Sequence, residues 1–403
     1  MRRKLVEQLK QHLPDKEFSI LTGARQTGKS TLIKQVEADC KASQMPTTFL
    51  NLENKNILSD LDADPLRLLQ YLPETDKRKI IFIDEIQYLS DPSNFLKLLY
   101  DEYAPQLKII ATGSSAFYMD EKFDDSLAGR KKIFQLLGCS FDEYLALRGK
   151  DGLLDELNRI SSRPDAKSTE ISLLKNEWDL YVMYGGYPAV ITESDPAKKI
   201  SRLKELRDSF VKRDILESGV QNEMAFYQLF QIMAAQNGLV NVNELSATLR
   251  IKNETVNHYL HVLEKCFHIS LVKPFYKNLR KELVKMPKSY LMDTGMRNVL
   301  LSNFQLPDQR TDKGELWETV CFRQLAEKYG LQAVKYWRTA DGNELDFVIT
   351  DTEKMKAVET KYNRKTIKEK KYQKFMDTYP EIPLSYAWAE PFDESFFRRL
   401  AEL

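Results

Sequence analysis

Gly23-Ala24-Arg25-Gln26-Thr27-Gly28-Lys29-Ser30 fits the pattern G-x-x-x-x-G-K-[ST] without a departure, and the residues on either side supply its context. Before it, Phe18-Ser19-Ile20-Leu21 reads as a buried strand. After it, Leu32, Ile33 and Val36 recur at helical spacing. A loop that leaves a strand and opens a helix turns main-chain N–H groups and the positive helix end toward one concavity, which suits phosphate oxygens. Gly23, Ala24, Arg25, Gln26, Thr27, Gly28, Lys29, Ser30 and Thr31 are therefore expected to hold a nucleoside triphosphate. Lys29 is expected to reach the outer phosphates, and the Ser30 hydroxyl to ligate Mg²⁺. Arg25 has two readings, a phosphate contact or a partner contact.

Strand and helix patterns alternate from Glu17 to about Leu147, which argues for an α/β fold with a parallel sheet flanked by helices. Further strands are expected at 47–52, 79–83, 108–112 and 132–137. The third strand runs into Asp84-Glu85, an acidic pair at the carboxyl end of an apolar run. Asp84 is expected to hold Mg²⁺ and Glu85 to polarise an attacking water. Thr112 and Ser114, in the Thr112-Gly113-Ser114-Ser115 that ends the fourth strand, are sensor candidates whose hydroxyls suit a γ-phosphate or that water; a turn with hydroxyl caps is the alternative.

This ordered set resembles the AAA+-type ATPases of the P-loop superfamily over roughly the first third of the chain. The resemblance implies ATP hydrolysis with Mg²⁺, an extra strand between the two nucleotide motifs, and an arginine that completes the site. Arg130, in Ala128-Gly129-Arg130, is the candidate for that arginine.

The chain has 403 residues, enough for two to four domains, and 42% hydrophobic content is ample for packed cores. Its 60 Lys and Arg against 59 Asp and Glu exclude a global attraction to nucleic acid or membrane, so such a partner needs a local patch. Cys40, Cys139, Cys266 and Cys321 lack metal-ligand spacing and read as reduced core residues of a cytoplasmic protein. No stretch has the length of a membrane span.

The reading places an ATPase domain at 1–150, a helical connector at 151–220, a winged-helix-like module at 221–295 and a further α/β domain at 310–403. Tyr184-Gly185-Gly186-Tyr187-Pro188 must break a helix, either as a hinge or, the preferred reading, as a tight turn between packed helices. Val242, Leu245 and Leu249 line one short helix. Val256, Tyr259, Leu260 and Leu263 line a second, whose exposed face shows Glu254, Asn257, His258 and His261. That face is only weakly basic, so its use against DNA competes with a packing role.

In the last domain Glu318 shares a helical face with Phe322 and Leu325, which would bury a carboxylate. The stretches 343–349 and 355–361 alternate like paired strands. Counting from Thr350 opposite Met355 sets Val348 against Ala357, Asp346 against Glu359 and Glu344 against Lys361. Opposed carboxylates repel, and a divalent cation held by Asp346, Glu359 and Glu318, with Lys361 activating water, would relieve them; a solvated hairpin is the alternative. The four residues resemble the helix acid and D…ExK signature of the PD-(D/E)xK nuclease superfamily, without its proline and first aspartate. Taken whole, the chain resembles a family of prokaryotic ATP-binding proteins in which an AAA+ domain precedes a winged helix and a restriction-endonuclease-like domain. Basic runs at 361–374 and 273–288 are candidates for contact with DNA phosphates. ATP is the expected ligand, a homo-oligomer is left open, and the competing function is a nucleotide-driven switch or scaffold for protein partners with a silent nuclease-like domain.

Overall fold

The computed structural model describes residues 3–113, 127–163, 165–276, 286–339, 341–350 and 354–403. Two compact units emerge, residues 1–138 with 265–267, and residues 139–264 with 268–403.

The first unit is built on β1 Phe18–Thr22, β2 Thr47–Asn51, β3 Lys79–Asp84, β4 Leu107–Gly113 and β5 Lys131–Gln135. All neighbours are parallel, in the order β2-β3-β4-β1-β5, so β4 lies between the strands that carry the two nucleotide motifs. Helices α1 Lys4–Gln11, α2 Lys29–Ala42, α3 Lys55–Ala63 and α4 Pro92–Tyr103 cover it. The inner strands β1, β3 and β4 are buried on both faces, which explains their uninterrupted apolar runs, while the edge strands β2 and β5 are only partly covered. Ile81 and Ile83 meet Phe95, Leu96 and Leu99 of α4 on one side, while Ile80 and Phe82 meet Leu32, Ile33 and Val36 of α2 on the other. The carboxyl ends of β1, β3 and β4 thereby share one edge, where open α/β sheets bind ligands.

Arg130 is on the opposite edge. Its carbonyl accepts from the Phe18 amide at the amino end of β1, and its guanidinium grips Asp101 at 2.7 Å. A residue that precedes β5 in a parallel sheet sits at the end away from the loop that follows β1, so the candidate Arg130 lies apart from the phosphate loop of its own chain.

In the second unit, the helices Ile171–Tyr184 and Pro188–Ile191 flank the glycine pair. The break is a tight turn that locks into another motif. Gly185 has φ +79°, and the Asp293 carboxylate accepts from the Gly186 amide at 2.7 Å and from Met296 at 2.9 Å. Asn298 adds bonds to the carbonyls of Val182 and Met183. A Cβ at Gly295 would stand 2.1 Å from the Tyr184 carbonyl oxygen. Gly295→Ala is accordingly expected to destabilise this unit by about 3 kcal/mol or more, read as a fall in denaturation midpoint.

The helices Val242–Leu249 and Asn253–Lys265 form where their apolar spacing put them, followed by β6 Ile269–Val272, which pairs antiparallel with β7 Lys288–Leu291. Val256, Tyr259, Leu260 and Leu263 are buried, Glu254, Asn257 and His261 are exposed, and His258 lies 3.1 Å from the Ser218 carbonyl. The sheet of the C-terminal region, β8 Val334–Arg338, β9 Glu344–Ile349, β10 Lys356–Asn363 and β11 Leu384–Glu390, has the order β11-β10-β9-β8. The helix Lys313–Tyr329 precedes it and carries Glu318. No described helix is long and apolar enough to cross a membrane.

Candidate functional site

The loop after β1 is held in the shape its glycines permit. Gly23 (φ +151°) and Gly28 (φ +96°) adopt backbone conformations that side chains disfavour, and a Cβ on Gly23 would meet the Leu136 carbonyl oxygen at 2.1 Å. Arg3 staples the loop from the chain's start, donating to Thr27 O at 3.2 Å and Leu137 O at 2.6 Å. Helix α2 opens at Lys29, so its first free amides face the loop's hollow. Thr31 is exposed on the first turn, and Arg25 is half-buried in the loop.

Lys29 is 5% exposed, and its ammonium donates to Gly23 O and Ala24 O, each at 2.9 Å. Burial drives its pKa down to about 8 against the opposing pull of Glu85. A polyphosphate supplies the negative charge that such a desolvated cation lacks.

Across the hollow, one oxygen of Asp84 collects two hydroxyls, Ser30 Oγ at 3.1 Å and Thr112 Oγ1 at 2.5 Å. Thr112 in turn accepts from the Glu85 amide at 3.0 Å. Three segments far apart in sequence are thus joined at one point. Glu85 has φ +60°, a left-handed conformation rare for a non-glycine residue, which turns its side chain away from the strand's course, and Gln87 donates to its carboxylate. Ser114 lies outside the described residues.

The second cluster is in the C-terminal region. β9 and β10 pair in the expected register for Ile349 with Lys356, Val348 with Ala357 and Phe347 with Val358, and there the ladder ends. Beyond it the acids bond to the facing strand: the Asp346 carboxylate accepts from the Thr360 amide at 2.8 Å and its hydroxyl at 2.7 Å, while Glu359 accepts from the Asp346 amide at 3.3 Å. The expected ladder pairs Asp346 with Glu359 and Glu344 with Lys361 are therefore absent; carboxylate-to-amide bonds are stronger than a neutral ladder bond and replace it. Lys361 contacts Glu359 instead, and Tyr372 donates to the same carboxylate at 2.5 Å. Glu318 accepts from the Tyr290 hydroxyl at 2.6 Å, so the buried helix acid has a partner. Burial first, then the charge of Asp346, raises the pKa of Glu359 to about 7, and the same two causes raise Glu318.

Lys288 completes this cluster. Its ammonium contacts Glu344 and stands 3.5 Å from Glu318 and 4.0 Å from Asp346, with the side chain 4% exposed. Its place in a solvated basic run at 273–288 is corrected: β7 turns it inward. Lys277, Arg280, Lys281 and Lys285 of that run lie outside the described residues.

Residues 15–145 match a family model described as an AAA domain (AAA_14), residues 175–306 a domain of unknown function (DUF8612), and residues 313–389 another domain of unknown function (DUF4143). An uncharacterized protein of Mycobacterium tuberculosis is 27% identical over 352 residues, 86% of this chain and 71% of that one. An uncharacterized protein of Haemophilus influenzae is 24% identical over 360 residues, 86% of this chain and 83% of that one. Among solved structures, the replication initiator DnaA bound to AMPPCP and single-stranded DNA aligns with 65% of this chain and 88% of its own, at 13% identity and a TM-score of 0.30, an overlap too loose to carry chemistry. The sheet order and the family match agree on an AAA-type P-loop domain in the first third of the chain, a fold that implies nucleotide binding.

Proposed function

We propose that the chain binds ATP with Mg²⁺ and hydrolyses it, and that the nucleotide state is communicated to a C-terminal region that contacts a nucleic acid. The observation that carries the first part is the convergence of the Ser30 and Thr112 hydroxyls on one carboxylate oxygen of Asp84 beside the buried ammonium of Lys29. The hard oxygen donors Ser30 and Asp84, 3.1 Å apart, fit Mg²⁺, which when bound would neutralise charge on the outer phosphates. Gly23 to Thr31 wrap the triphosphate, Lys29 draws charge from its outer oxygens, and Glu85 orients the attacking water and accepts its proton. Thr112 couples the two acids, holding the Asp84 side chain and the Glu85 main chain together.

For the second part, Lys365, Lys368, Lys370 and Lys371 are exposed between β10 and the helix Gln373–Thr378, and the Arg364 guanidinium packs over Trp388 at 4.9 Å. The winged-helix reading of 221–295 and the nuclease-like reading of 310–403 belong to this proposal. They are supported by the helix pair followed by β6 and β7, and by the gathering of Glu318, Asp346, Glu359 and Lys361. A second reading, a nucleotide-driven switch for protein partners with a silent nuclease-like domain, is favoured by Lys288 within the acid cluster.

Duplex binding measured with ADP and with a non-hydrolysable ATP analogue, from 50 to 200 mM salt, separates the two. Neutralising about four phosphates through the exposed lysines predicts a fall in affinity of about a hundredfold over that range, with a nucleotide-dependent offset. Absence of binding at any salt would leave the second reading.

A further inference from the structure

Four carboxylates, Glu318, Glu344, Asp346 and Glu359, gather around the splayed end of β9 and β10, and the nuclease resemblance predicts a divalent cation among them. The residues present do not fit that ion. Among the described residues, one donor oxygen each from Glu318, Asp346 and Glu359 do not come within 4.8 Å of one another; that spacing is met at His12, Asp15 and Glu17, where the Lys108 ammonium lies 3.1 Å from His12. In the C-terminal cluster the position between the acids belongs to the Lys288 ammonium, which touches Glu344 and stands 3.5 Å from Glu318 and 4.0 Å from Asp346. Lys361 occupies Glu359, and Arg338 takes the other oxygen of Glu344 at 2.9 Å.

We infer that Lys288 is the cluster's own cation: the chain neutralises its nuclease-like acids from within, and the site takes no divalent metal while that ammonium is in place. A metal ion bound about 2.1 Å from the Glu318 and Asp346 oxygens would stand within about 6 Å of a desolvated like charge, where repulsion is poorly screened. The ammonium cannot relax into water, because its side chain is 4% exposed and a buried cation must keep its partners. Conversely, removing it takes the nearest cation from Glu318 and Asp346, while Glu344 keeps Arg338 and Glu359 keeps Lys361, and a multivalent cation then becomes the compensating group for that pair.

The test uses tyrosine-sensitised Tb³⁺ luminescence on the nucleotide-free full chain, since Tyr290 and Tyr372 are hydrogen-bonded to Glu318 and Glu359 and would lie beside the ion. The parent is expected to show no saturable emission that Glu318→Gln removes. Lys288→Met is expected to gain such saturable emission, at least about tenfold above the parent's signal, and Lys288→Met with Glu318→Gln to lose it. Lys288→Gln serves if the methionine variant does not fold by circular dichroism. Saturable, Glu318-dependent emission from the parent, or no gain in folded Lys288 variants, would overturn the inference. Because nucleotide is absent, the outcome is independent of whether the P-loop domain turns over ATP.

Discussion

Replacing Lys29 by Ala is expected to lower Mg²⁺-dependent ATP turnover by about a hundredfold or more and to weaken ATP binding, while the melting temperature stays near the parent's. The ammonium is the buried positive charge at the loop's hollow, and its strongest neighbours there are neutral carbonyls, Gly23 O and Ala24 O. Folding therefore draws little from it, because desolvation opposes the charge and has already pulled its pKa down to about 8. Anionic phosphate oxygens are far better acceptors, so the free energy of that contact belongs to the bound and reacting states. Phosphate release and nucleotide titration on the variant, with circular dichroism as the folding control, check both halves. Turnover at the parental rate would remove Lys29 from the site.

Glu85→Gln separates binding from chemistry. Its expected effect is a fall in turnover of about 10²- to 10³-fold with ATP affinity nearly unchanged, because the amide keeps the shape but cannot accept a proton from water. The carboxylate is aimed by main-chain geometry: φ of +60° at Glu85 and the bond from its amide to Thr112 fix the residue independently of its side chain's charge. Glutamine accepts the same backbone and should trap the ATP-bound state. A parallel loss of affinity and turnover would place Glu85 in nucleotide binding instead.

The glycine loop, the five strands and the acidic pair were legible because each is written locally, as an uninterrupted apolar run or a fixed spacing. The insertion of β4 between β1 and β3 came only from the resemblance to AAA+-type ATPases, which implied an extra strand between the two nucleotide motifs. Contacts made across long separations were not legible. Arg3 reaches Leu137 over 134 residues, and nothing in its basic surroundings distinguishes a buried staple from a solvated terminus.

The C-terminal cluster shows both limits together. Glu318, Asp346, Glu359 and Lys361 were identified from helix phase and strand alternation, and the register from Ile349 to Phe347 held as counted. The count failed one step further because carboxylates bonded to main-chain amides, which alternation cannot register. Lys288 was missed because it arises from β7, outside the expected domain at 310–403, and looked like one more charge in a basic run. Burial at 4% reverses its meaning from surface patch to internal counter-ion.

The most direct measurement is a titration of the purified full chain with ATP and Mg²⁺, followed by calorimetry or a fluorescent ATP analogue. The structure predicts saturable binding at one site per chain, weakened by Lys29→Ala and dependent on Mg²⁺ through Ser30 and Asp84. Well-folded protein that takes up no nucleotide at saturating ATP and Mg²⁺ would contradict the account at its foundation.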